Sequence, residues 1–185
     1  MYKYKNKTKR IYLKHCYYFV TVKTFKNKRI FQNEIYAKIF LNTLLFLKQR
    51  GDFELSACVL LHNHFHLLLI PKKKNISEIM HDLKSYSAQK INNHRRSITT
   101  NQRRGILASP SHNNHKGEAG SLTSEVDENL KHVWQRSFYY HVIENDNEND
   151  FENHYEYIYN NPIKHGYVDN PNNWPYLIVD TKYHI

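Results

Sequence analysis

The chain has 185 residues, of which 40% are hydrophobic and 24 are Tyr or Phe (15 and 9), enough apolar material for one well-formed core and too much for wholesale disorder. Lys and Arg outnumber Asp and Glu by 27 to 17, a formal charge of +10, so polyanions are the favoured partners and nucleic acid leads among them. Only Cys16 and Cys58 occur, each inside an apolar run, which excludes a disulfide framework or a cysteine-built zinc site, and no apolar stretch approaches the length of a bilayer, so a cytoplasmic protein without membrane contact is expected.

Residues 1–14 carry Lys3, Lys5, Lys7, Lys9, Arg10 and Lys14 with no acid among them, and read as a basic arm suited to lie along phosphates. A short aromatic and β-branched run, residues 17–22, predicts a first strand. From 32 to 50 the apolar positions Ile35, Ile39, Phe40, Leu44 and Leu47 recur at helical spacing and Gly51 supplies a stop. Residues 53–61 and 65–70 predict two strands joined as a hairpin. A second helix is predicted from 76 to about 93, with Ser77 as its expected cap and Ile79, Met80, Leu83, Tyr86 and Ile91 as its apolar stripe. Residues 97–131 lose all periodicity, fill with Ser, Asn, His, Gly and Thr, and read as a flexible insertion loop. A strand over 138–143, an acidic turn and a third helix from about 150 to 160 complete a single domain covering 1–185. The order β, α, β, β, α, β, α predicts an α+β fold: a ferredoxin-like, RRM-like antiparallel sheet with helices on one face and a C-terminal helix that carries Tyr157.

Two stretches carry groups capable of chemistry. In VLLHNHFHLLLIP, alternate side chains of an extended chain share a face, so His62, His64 and His66 would point one way and His64 with His66 would form a metal clamp. An ordinary wet sheet surface would also produce this pattern in a chain with 13 histidines. In HYEYIYNNPIKHGYV, His154, Tyr157 and Asn161 fall at i, i+3 and i+7 of a helix, with a phenol and a carboxamide on one face. Pro162 is expected to end that helix. Tyr155, Tyr157, Ile158 and Tyr159 would also serve as core or interface residues, and on the helix alone that reading leads. The acids Glu144, Asp146, Glu148, Asp150 and Glu152 read as a solvated capping segment that favours the helix dipole and would repel DNA.

Taken in order, YYFVTV, NHFHLLLIP, LKSYSAQKIN, VWQRSFYYHVI, EYIYNNPIKHGYV and NPNNWPY resemble the HUH tyrosine transposases of the insertion-sequence 200/605 superfamily, and most closely the repeat-associated tyrosine transposases. The resemblance implies the HUH endonuclease fold, with His64 and His66 as metal ligands, Asn161 as the third ligand and Tyr157 as the nucleophile. It further implies Mg²⁺ or Mn²⁺ as cofactor and single-stranded DNA hairpins as substrate, in a bacterial, nucleoid-associated setting. The expected activity is that of a transposase, a nuclease and strand transferase working through a 5′-phosphotyrosine. A monomer is expected, with a dimer through a swapped tyrosine helix as the alternative. His62 departs from the family pattern, standing where many relatives have proline. Candidate DNA contacts are Lys9 and Arg10 in the arm, Lys84 and Lys90 on the second helix, and Arg136 and Lys164 beside the site motifs. Tyr4, Tyr12 and Trp134 are candidate stacking platforms for bases, with packing residues as the favoured reading of each. Two other readings compete: a DNA-binding descendant that no longer cleaves, and a histidine-triad nucleotide hydrolase, which leaves EYIYNNPIKHG without a role.

Overall fold

The computed structural model describes residues 12–13, 15–107, 132–144 and 147–180. Strand β1 (Tyr17–Lys23) leads through two single 3-10 turns to helix α1 (Glu34–Gln49), then to the hairpin of β2 (Phe53–Leu60) and β3 (His64–Pro71), helix α2 (Ile76–Leu107) and strand β4 (Tyr139–Ile143). Helix α3 (Glu148–Tyr159), the one-turn helix α4 (Asn161–Lys164) and strand β5 (Leu177–Val179) close the described chain. The sheet order is β4-β1-β3-β2-β5, with every neighbouring pair antiparallel. This is the expected split βαβ sheet extended by β5, which the sequence pattern does not announce and which pairs with Ala57, Cys58 and Val59 at the β2 edge.

Both faces of the sheet are covered. On one side Val20, Val22, Phe65, Leu67 and Leu69 meet Phe40, Leu44 and Leu47 of α1 and Ile79, Met80 and Leu83 of α2 in the larger core. On the other, Phe19, Ala57, Val59 and Leu68 meet Tyr155 and Ile158 of α3. The first two helices therefore share a face as expected, and the helix carrying Tyr157 lies across the opposite one. Helix α1 begins where Asn33 Oδ1 accepts the backbone N–H groups of Ile35 and Tyr36 at 3.0 and 3.3 Å. It ends at Gly51, whose φ of 81° is the left-handed conformation that a helix stop requires and that a side chain would resist.

The structure departs from the sequence reading at three points and decides a fourth, the role of Trp134. Helix α2 is capped by Asn75, not Ser77: Asn75 Oδ1 accepts the N–H groups of Ser77 and Glu78, and Glu78 reaches back to the Asn75 N–H in a reciprocal capping box. The same helix continues to Leu107, through the first eleven residues of the proposed insertion loop. No Pro interrupts that run, and Gln102, Arg103 and Arg104 favour a helix although Ser97, Thr99, Thr100, Asn101 and Gly105 do not, so the helix persists without the apolar stripe that would have announced it. Trp134 is no exposed stacking platform; it is 7% exposed, stacks between Phe31, Phe40 and Phe65, and donates its indole N–H to Ser87 Oγ at 3.0 Å. His62 lies outside β3, in the β2–β3 turn against Tyr167 and Trp174 and hydrogen-bonded to Arg29, and it does not line the cleft that holds His64 and His66. Lys9, Arg10, Tyr4 and the rest of the insertion, 108–131, lie outside the described residues.

Leu67, fully buried at the centre of β3, is a direct test of this core. Leu67→Ala is expected to cost about 2–5 kcal/mol in urea unfolding, whereas Leu45→Ala on the exposed side of α1 should change stability by less than about 0.5 kcal/mol.

Candidate active site

The site is built by strand register. Antiparallel pairing sets Thr21 opposite His66 and Lys23 opposite His64, so the four side chains share the face covered by α3. The two imidazoles stand edge to face with centroids 5.0 Å apart. Thr21 Oγ1 pairs with His66 Nδ1 at 2.8 Å, and Asn63 Oδ1 pairs with His64 Nδ1 at 2.7 Å. Each ring is thus oriented through Nδ1, the outer-shell arrangement that leaves Nε2 for another ligand. The Phe19 ring stacks on His66 at 5.4 Å and fixes the inner wall.

Helix α3 supplies the opposite wall. Phe151, Tyr155 and Ile158 form its packed stripe, and the adjacent stripe, Asp150, His154 and Tyr157, turns toward β1, β3 and β4. Of the three tyrosines in YEYIY, Tyr155 is consumed by the core and Tyr159 donates its hydroxyl to Asn172 Oδ1 at 3.2 Å. Tyr157 alone of the three meets the histidine pair, its ring 5.2 Å from His66 and 38% exposed. Lys164 places its Nζ 4.9 Å from the centre of the Tyr157 ring.

Asn161 begins α4, one turn after Tyr157 and one turn before His165, whose ring lies 5.3 Å from His64. Asn161 is fully buried, yet neither its Oδ1 nor its Nδ2 has a hydrogen-bond partner, and His66 Nε2 is likewise buried and unpartnered. Buried polar atoms without partners are costly and rare, and a bound ligand would supply partners for His66 Nε2 and for the Asn161 amide, although Asn161 is not among the residues that line the cleft. Two imidazoles and a carboxamide oxygen suit a divalent ion, and the donor set fits the ligands expected from the sequence.

Electrostatics favours the same chemistry. Burial, followed by the charges of His165 and Lys23, pushes the His64 imidazole down to about 4. Burial again dominates for His66, which falls to about 3, with His64, His165, Lys164 and Lys23 adding to it. Both rings are therefore neutral near pH 7 and keep lone pairs for a metal. The surrounding cleft has a volume of about 760 Å³ and carries Lys23, Arg29, Lys164 and His165 on its walls, with Tyr139 at its mouth.

Among the DNA contacts expected from the sequence that fall on described residues, only Lys164 joins this cleft. Lys84 and Arg136 meet each other elsewhere, where Lys84 Nζ donates to the Arg136 carbonyl at 2.8 Å beside a second cleft against α2. Lys90 is exposed on the same helix. Tyr12 is 44% exposed with its hydroxyl 2.8 Å from Ser77 Oγ, away from the histidines. Thr21, Lys23, Arg29, Tyr139 and His165 were not singled out from the sequence. His165 had a readable signal, since it continues the Tyr157–Asn161 spacing by four residues; the others depend on strand register and loop closure.

A ferredoxin-like antiparallel sheet that presents a His-x-His pair to a tyrosine from a late helix defines the HUH-type class of fold and site. Residues 12–114, more than half of the chain, match the family described as Transposase IS200 like, and the chain belongs to that family. A stretch of 47 residues is 45% identical to the REP-associated tyrosine transposase of Escherichia coli, spanning 25% of this chain and 27% of that protein. A stretch of 44 residues is 52% identical to a Haemophilus influenzae protein that carries the same description provisionally, spanning 24% of each. The chain thus matches about a quarter of the length of either relative. The solved structure of a REP-associated tyrosine transposase bound to a REP hairpin superposes with a TM-score of 0.63 at 22% identity, covering 94% of this chain and 82% of that one, and shows the shared fold. The family match includes His64 and His66 and stops before Tyr157.

The neutral histidines give a pH signature. The unfolded chain takes up protons at His64 and His66 near pH 6.5, and the folded protein refuses them until about pH 4 and 3. The unfolded state binds more protons in that window, so metal-free stability should fall as pH drops from 6.5 toward 4. Urea midpoints measured at pH 7, 5.5 and 4.5 should decline, and His66→Gln should flatten the decline; an equal slope in the variant would show that His66 is not held neutral.

Proposed function

We propose that the protein is a single-stranded DNA endonuclease and strand transferase that cuts at or beside hairpins, with Tyr157 as nucleophile. The observation that carries this reading is the contact between Tyr157 and His66, 5.2 Å ring to ring, in a cleft lined with cations. The hairpin as substrate class rests on the family and on the hairpin held by the protein of similar fold.

A phosphodiester repels nucleophiles through its charge, so the site must neutralise that charge and align an oxygen opposite the leaving group. Lys23, Arg29 and Lys164 attract the phosphate to the cleft floor. His64, His66 and Asn161 would hold Mg²⁺ or Mn²⁺; when bound, the ion supplies Lewis-acid polarisation of the phosphate. Tyr157 Oη then attacks phosphorus, the P–O3′ bond breaks, and the 5′ side remains as a phosphotyrosine ester. The phenol gives up its proton and the departing 3′ oxygen gains one. The ester conserves the bond energy, and a 3′ hydroxyl attacking it restores the phosphodiester and the free phenol, which is strand transfer. A monomer is part of this reading, because Tyr157 reaches the histidines of its own chain.

Labelled hairpin-bearing single-stranded DNA incubated with the protein and Mn²⁺ should yield a covalent adduct on a denaturing gel. The adduct should vanish in Tyr157→Phe and with chelator, and persist in Tyr159→Phe. Lys164→Ala should slow its formation by roughly tenfold, the loss of about one charge-assisted contact. Tight hairpin binding without any adduct in the wild-type chain would favour the non-cleaving alternative.

A further inference from the structure

Among the described residues, the group of His, Asp and Glu side chains that best meets the geometry of a metal site is not the His64–His66 pair. It is His141 on β4 with Asp150 and His154 on α3, from which one ligand atom each can be chosen so that all lie within 4.8 Å of one another. We propose that these three residues form a second metal site, selective for Zn²⁺ or a similar borderline ion, which clamps the tyrosine-bearing helix to the edge of the sheet. Nothing in this proposal depends on DNA cleavage by Tyr157.

Both imidazoles already converge on one carboxylate. His141 Nε2 lies 2.8 Å from Asp150 Oδ2, and His154 Nδ1 lies 3.0 Å from Asp150 Oδ1. The two rings stack at 5.0 Å with 19° between their planes, and His154 Nδ1 also lies 2.8 Å from the Asp150 backbone carbonyl. Asp150 and His154 are i, i+4 neighbours, the spacing that places two ligands on one helical face, and His141 brings the third from a separate element. Two nitrogens and one oxygen, with a fourth position for water, is a zinc composition; Mg²⁺, which prefers oxygen, would be a poor occupant.

The surroundings favour a cation. Across 144–152 the sequence has five acids and no Lys or Arg, a local reversal of the protein's net charge of +10. The three side chains are 23–40% exposed, partly shielded but within reach of an ion from solvent.

The site is one aromatic ring away from the catalytic cleft. Phe19 touches His154 at 4.5 Å, His66 at 5.4 Å and Tyr157 at 5.8 Å. His154 precedes Tyr157 by three residues, so an ion here would set the seat of the nucleophile against the histidine pair.

The test is a Zn²⁺ titration by calorimetry of the chelator-stripped full-length chain. Zn²⁺ can also enter at His64 and His66, so a His64→Ala/His66→Ala variant isolates the second site. That variant should retain one Zn²⁺ and lose it when His141→Ala is added. In the wild-type chain His154→Gln should lower the stoichiometry by one and leave Mn²⁺ binding at the histidine pair in place. Free Zn²⁺ at a hundredfold excess over Kd should raise the Tm of the isolating variant by roughly 5–10 °C. Co²⁺ in place of Zn²⁺ should give the intense visible bands of a four-coordinate ion. Absence of Zn²⁺ from the isolating variant, or binding that survives both His141→Ala and His154→Gln, overturns the proposal.

Discussion

The double burial of β3 is the constraint on which the rest of the structure depends. Phe65, Leu67 and Leu69 face the core shared with α1 and α2, while His64, His66 and Leu68 face α3. Side chains alternate with a period of two, so a one-residue slip against β1 would turn two imidazoles into an apolar core and three large hydrophobes toward the cleft. The penalty for burying unpaired imidazoles makes that alternative register uncompetitive. The same apolar residues that stabilise the sheet therefore aim the functional ones, and the pairing of Thr21 with His66 and Lys23 with His64 comes with the register.

The second requirement is the rotation of α3 about its axis, set by Phe151, Tyr155 and Ile158 packing against Phe19, Val59 and Leu68. Once those three are buried, the stripe of Asp150, His154 and Tyr157 must face the sheet margin. Pro162 and Gly166 then shape the chain beyond α3. Pro162 occupies the first turn of α4, where its missing N–H is harmless, and Gly166, with φ 67°, stops that helix so that Tyr167 can turn back toward His62. Asn161 is carried inside by this short turn without a partner, at a cost to the fold of about 1–3 kcal/mol for each unsatisfied group. That cost falls one helical turn after the cleft-facing Tyr157, where the proposed metal would offset it.

Much of this was legible in the residues. NHFHLLLIP announces its own alternation, and the apolar spacing of α1 announces a helix, because burial on one face leaves a periodic trace. Where burial leaves no trace, the reading stops. Helix α2 runs on to Leu107 through a sequence without an apolar stripe. Trp134 could be read either as a base platform or as a packing residue, because its partners, Phe31, Phe40 and Ser87, are distant in sequence. Lys23 and Arg29 enter the cleft through strand pairing and through a loop that passes Lys26 and Asn27 in left-handed conformations, which no spacing rule encodes. His141 was invisible as a partner of Asp150 and His154, since only the antiparallel pairing of β4 with β1 brings it to α3.

The distribution of charge arises from the same geometry. Acids gather at the N-terminal end of α3, where the helix dipole favours them, and the cations Lys164 and Lys23 gather with Arg29 at the cleft beyond its other end. Seven residues separate Asp150 from Tyr157, roughly 10 Å along the axis. Across that distance the side chains change from acids at the helix start to cations at the cleft. Lys23 disfavours protonation of both His64 and His66, and Lys164 that of His66, so the cations of the cleft help to keep the imidazoles neutral. Glu148 and Asp150 stand in the first turn of α3, farthest from Tyr157, and Glu156 is the exposed exception beside it, so the acids that would oppose a phosphate lie mostly at the end where the helix dipole favours them.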